Sequence, residues 1–125
     1  MNPVPDLILV ALPGPALAHG AIPCALLSQV EAEAAAATDG LFDTPPMLDP
    51  GALFILSRDA IDLGVEFSAH DWSAGAAAAM VSIDGIARAL ARGEEPPGPG
   101  PAVRIQAAVR LARSEARDVC ANPAP

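Results

Sequence analysis

The sequence predicts an α/β fold of the α+β kind: a two-layer sandwich in which two helices cover a small three-stranded mixed sheet, with a further helix after a Pro/Gly linker. Three patterns predict it. Ile61, Leu63, Val65 and Phe67 alternate with Asp62, Gly64, Glu66 and Ser68, which is the two-residue period of a strand with one buried face. Leu53-Phe54-Ile55-Leu56 is continuously apolar between Gly51 and Ser57-Arg58-Asp59, as in a central strand covered on both sides. Three other stretches, 23–38, 74–92 and 102–120, carry apolar residues at helical spacing.

Taken in order, Asp6 to Leu12 (DLILVAL) reads as a buried first strand closed by Pro13-Gly14-Pro15. Pro23 is suited to the first position of a helix that buries Leu26, Leu27, Val30, Ala34 and Ala37 and stops at Asp39-Gly40. Residues 40–51 (GLFDTPPMLDPG) are dense in Pro and Gly and read as a long loop. The second strand, Leu53–Leu56, lies parallel to the first through a right-handed crossover, and Ile61–Phe67 returns antiparallel as its hairpin partner. Asp71-Trp72-Ser73 offers N-caps for the next helix, with Met80, Ile83, Ala87 and Leu90 on one stripe, an Asp84–Arg88 pair outside, and Gly93 as its stop. GEEPPGPGP, 93–101, reads as a linker, and the last helix carries Ile105, Val109, Ala112, Ala116 and Val119 on one face. The domain reading is a core over 1–92, a linker over 93–101, and a C-terminal helix and tail over 102–125.

Composition limits what such a chain can do. With 125 residues, 52% of them hydrophobic, there is material for one core. Much of that fraction is alanine, and three Phe and one Trp are the only large aromatic pieces. All seven basic residues are arginine, which fits the codon bias of a GC-rich bacterial genome. The charge of −8 divides into six acids and no base over 1–57 and nine acids with seven arginines over 58–125. That balance argues against nucleic acid, whose phosphates need a concentrated positive surface. Leu7 to Ala18 is apolar and ends in Ala16-Leu17-Ala18, but Asp6, Pro13, Pro15 and the lack of a basic residue before Arg58 speak against a secretory signal. No apolar run reaches the ~20 residues of a membrane span. The expectation is a soluble cytoplasmic protein with reduced Cys24 and Cys120, no cofactor and no metal, because neither cysteine has CxxC or Cys/His spacing.

The candidate site residues fall in four groups. Leu41, Phe42, Met47 and Leu48 are more apolar than a plain connection needs, and either fold back over the core or face a partner. Trp72 borders that region. Arg110, Arg113 and Arg117 line one flank of the last helix and suit an acidic partner, or else balance an acidic body. Glu66 and His70 on the polar face of the strand, with Asp71 next to His70, are the weak catalytic candidates; ~3.3 Å per residue sets Asp62, Glu66 and His70 ~13 Å apart in succession. Cys24 is a further one, beside a helix N-terminus that lowers a thiol pKa. The leading functional expectation is a non-catalytic accessory or interaction subunit that self-associates or binds a larger protein. The alternative is a small enzyme or ligand-binding protein with a pocket between residues 40–51 and the polar face of 61–70.

Overall fold

The computed structural model describes residues 15–69, 74–117 and 120, with side chains from residue 23 onward. Over these residues the chain forms four α-helices: α1 (Pro15–Asp39), α2 (Pro50–Ala69), α3 (Ala74–Ala91) and α4 (Pro99–Glu115), with a 3-10 turn at Gly40–Phe42. Each helix packs on its neighbours in sequence, and α1 closes against α4. Cross-helix partners run in opposite directions: Ser57 with Asp84 and Gly64 with Met80 across α2 and α3, and Glu31 with Arg113 and Thr38 with Gln106 across α1 and α4. The architecture is an antiparallel four-helix bundle.

The expected sheet is therefore overturned. Both central strands, 53–56 and 61–67, lie within α2, and the described residues contain no strand. The strand at 6–12 lies outside the described residues. In α2 the residues with no exposed surface are Leu53, Leu56, Ala60, Leu63 and Phe67, spaced three and four apart as a bundle seam requires. Ile61 and Val65, which the alternation would bury with Leu63 and Phe67, are exposed. The helix start is written in Asp49-Pro50. Asp49 Oδ1 accepts the Ala52 amide at 3.1 Å, making Asp49 an N-cap, and Pro50 occupies the first helical position, where no N–H is needed.

The same three-and-four spacing recurs in Leu27, Val30, Ala34, Ala37 and Leu41, in Met80, Ile83, Ala87 and Leu90, and in Ala102, Ile105, Val109, Ala112 and Ala116. These stripes meet in one core. Helix α1 begins eight residues before Pro23, which sits inside it and removes one N–H from its ladder. Helix α3 matches its expected span. Gly93 closes it with φ +74: the Gly93 amide donates to Leu90 and the Glu94 amide to Ala89, a Schellman ending that favours glycine. The stretch read as a linker is shorter than expected, because Pro99, Gly100 and Pro101 already form the first turn of α4, and Arg104 pairs with Glu95 across it. By length and composition alone α3 could cross a membrane, but its Met80–Leu90 stripe faces the other helices.

Cys24 and Cys120 form a disulfide, with a Cα separation of 5.5 Å and 96 residues between them in sequence. The expectation of reduced thiols is corrected, as is the candidate nucleophile Cys24, whose sulfur is bonded. Sequence could not foresee the bond because 96 residues of separation say nothing of distance.

Two measurements check this fold. Phe67→Ala lowers the unfolding free energy by roughly 3–5 kcal/mol, whereas Val65→Ala, at a position 60% exposed, stays within about 0.5 kcal/mol; urea titration separates the two, and a buried strand face predicts a loss at both. Replacing Cys24 and Cys120 together by serine lowers stability by roughly 2–5 kcal/mol, on the view that the bond restricts the unfolded chain, and dithiothreitol reproduces the loss in the wild type.

Candidate functional site

The feature best suited to binding lies on the outer face of α2 and α3. Phe54, Ile61 and Val65 on α2 and Val81 on α3 are exposed, and they border two open grooves of about 580 and 400 Å3 that share Ile61. The first is walled by Gly64, Val65, Ser68 and Ala69 against Ala77, Ala78 and Val81. The second is walled by Leu53, Phe54 and Arg58 against Ala87, Arg88 and Arg92. The trough exists because the inner stripes of α2 and α3 are filled while alanines on α3 leave its outer wall low.

Polar side chains at the base of this pair fix its register. Ser57 Oγ donates a buried hydrogen bond to Asp84 Oδ1, and Arg88 pairs with the other Asp84 oxygen at 3.2 Å. On the opposite flank of α2, Gln29 Nε2 donates to Asp59 Oδ2 at 3.0 Å and to Glu33 Oε2 at 3.1 Å, while Arg58 Nε meets Asp59 Oδ1 at 3.2 Å. Glu33 Oε1 is buried with no donor facing it. Burial first, and then a hydrogen bond with the Asp59 carboxyl, raise the Glu33 pKa above its usual 4.5, as expected when two carboxyls face each other away from water. This pair bridges α1 and α2.

The arginine row on α4 is divided. Arg113 turns inward and holds Glu31 with two hydrogen bonds, at 2.5 and 2.9 Å, while also donating to Ser28 Oγ and to the Cys120 carbonyl. The hydrogen bonds to Glu31 raise its pKa further. Arg110 and Arg117 remain exposed. Among the loop candidates Leu41 is fully buried, whereas Phe42, Met47 and Leu48 are exposed. Gly40 accepts the Met47 amide at 2.8 Å, and a Cβ there would meet the Met47 carbonyl oxygen at 2.8 Å, so this turn requires glycine. The loop borders a groove of about 330 Å3 with the end of α1, at the start of α2, while Glu66 lies sixteen residues further along that helix.

Glu66 is half-buried and has a partner within the chain. The strand spacing that separated it from Asp62 does not hold, since on a helix these residues stand one turn apart. His70, Asp71 and Trp72 lie outside the described residues. No group of three His, Cys, Asp or Glu residues among the described ones is arranged to hold a metal ion. Sequence reasoning missed Phe54, Val65, Val81 and Arg58, because a strand reading buries Val65 and places Arg58 in a turn. Their signal was available: they fall off the three-and-four stripe while remaining large or charged. No protein-family model matches this chain, and neither a curated protein nor a solved structure is significantly similar to it.

The raised Glu33 pKa gives a pH test. The unfolded chain releases the Glu33 proton near 4.5 and the folded chain only at higher pH, so stability is lost as pH rises from about 4.5 to the raised value. Glu33→Gln keeps the neutral form at every pH. The urea midpoint of the variant should decline less than the wild type's between pH 4.5 and 7, and parallel pH profiles would remove Glu33 from the account.

Proposed function

We propose that this protein is a small non-catalytic interaction module that works by seating another protein surface on the outer face of α2 and α3. The observation that carries this reading is the trough itself. Phe54 and Val81 are 66% and 68% exposed on a chain whose Leu and Ile residues otherwise largely fill the core, and clustered exposed apolar residues in a groove mark interaction sites. The polar clusters at Gln29–Glu33–Asp59 and at Glu31–Arg113 act as interhelical struts, whereas Phe54, Ile61, Val65 and Val81 along the trough are apolar surface that the bundle does not consume. The partner is either a second copy or a larger protein. The Cys24–Cys120 bond supports an oxidising compartment for this module, in place of the cytoplasmic expectation.

The test is association of the oxidised full chain, followed by light scattering and by pull-down against candidate partners. Val65→Glu and Val81→Glu should each abolish association while shifting the unfolding free energy by no more than about 0.5 kcal/mol, because both positions are exposed. Association that survives both substitutions, or a monomer with no partner, would sink the reading.

A further inference from the structure

Among the described residues, arginines gather at one end of the trough, and this narrows the class of partner. Leu53 to Ala69 along α2 spans about 24 Å, at ~1.5 Å per residue, so the trough accommodates a helix of about four turns. Its α3 wall is built largely from Ala77, Ala78, Val81 and Ala87, small side chains that let a third helix approach closely, as in recognition of a helix laid in a groove.

At one end stand Arg58, Arg88 and Arg92, three of the seven arginines on a chain of net charge −8. Two of them have carboxylate partners, but the carboxylates are sheltered. The Arg58 side chain is 57% exposed against 7% for Asp59, and Arg88 is 54% exposed against 10% for Asp84. Water and an incoming surface therefore meet guanidinium, with N–H donors to spare. Among the described residues, the opposite end is lined by Ser68, Ala69, Ala77 and Ala78, none of them charged, and Asp84 on the same wall is sheltered.

A second copy satisfies this surface poorly. An antiparallel copy sets the arginines against Ser68, Ala69, Ala77 and Ala78, a parallel copy sets arginine against arginine, and in both cases two chains of net charge −8 are brought together. We propose, resting on the interaction-module reading, that the trough docks an amphipathic helix from a different protein, with carboxylates on its first turn held by Arg58, Arg88 and Arg92. Carboxylates belong on that turn because they also suit the positive end of the partner helix, and Arg binds them in bidentate fashion. The apolar residues of this partner recur at three and four along the face that enters the trough.

The experiment uses the oxidised full chain and a fluorescein-labelled synthetic helix of about four turns, with leucine and alanine on one face and glutamates in the first turn. Anisotropy should report saturable binding that weakens about tenfold when the glutamates are replaced by lysines, and also when Arg92→Glu is introduced, a change at an exposed residue outside the buried ion pairs. Arg58→Glu combined with Arg92→Glu should reverse the order of the two peptides, with circular dichroism confirming the fold. Val81→Asp should abolish binding of both. Equal binding of the glutamate and lysine peptides overturns the inference, as does stronger binding to phosphatidylglycerol vesicles. No peptide binding, together with self-association that Val81→Asp removes, overturns it in favour of a second copy and leaves the interaction module standing. No peptide binding and no association overturns both.

Discussion

The arrangement depends on one constraint, the repetition of apolar residues at intervals of three and four on each helix. A helix turns once in about 3.6 residues, so that spacing keeps Leu53, Leu56, Ala60, Leu63 and Phe67 on one seam of α2 over about four turns. The other three helices present matching stripes, and no single stripe is stable alone because nothing else covers it. Alanine dominates many seam positions, including Ala34, Ala60, Ala87 and Ala112. Each contributes little buried area, so the core depends on close helix approach more than on large side chains.

An apolar seam of similar small residues tolerates sliding, because a shift by one repeat exchanges like for like. Polar contacts remove that freedom. The buried Ser57–Asp84 hydrogen bond, Gln29 between two carboxyls and the Arg113 clamp on Glu31 and Ser28 each have one register in which their donors are satisfied. Misregister would take the Ser57 donor from buried Asp84 and the Arg113 clamp from Glu31, at a cost comparable to the benefit of several packed alanines. Along α1, Cys24, Glu31 and Thr38 stand seven residues apart, and their partners Cys120, Arg113 and Gln106 stand seven apart in the reverse direction. One covalent, one ionic and one neutral contact thus recur every two turns of the same interface.

How much of this was legible depends on which period a segment displayed. Residues 74–92 and 102–120 show helical spacing without a competing pattern; the first matches α3 and its Gly93 ending, while the second helix is displaced toward the N-terminus, to Pro99–Glu115. Residues 53–67 carry both periods at once. Alternation over Ile61–Phe67 is short and local, while the seam over Leu53–Phe67 is longer and begins at an N-cap, and the longer pattern prevails because it alone has neighbours to pack against. Reading Asp49-Pro50-Gly51 as loop punctuation hid that start. The trough was illegible for the same reason: Val65 and Val81 become conspicuous only once the seams have used the other large apolar residues. The Cys24–Cys120 bond and the inward turn of Arg113 depend on α1 meeting α4, a distance in sequence that no local pattern reports.

The meeting of Cys24 with Cys120 also has a mechanical consequence. Tension applied between a point before Cys24 and a point after Cys120 passes through the sulfur–sulfur bond, because that is the shortest covalent path between them. The helices between them, with most of the core and the whole outer trough, lie on a slack branch that carries none of the pull. Under oxidising conditions the trough would keep its shape while its two tails are drawn apart; after reduction the same tension would be delivered to the α1–α4 interface, whose remaining contacts are the Arg113 clamp, the Thr38–Gln106 hydrogen bond and the apolar seam.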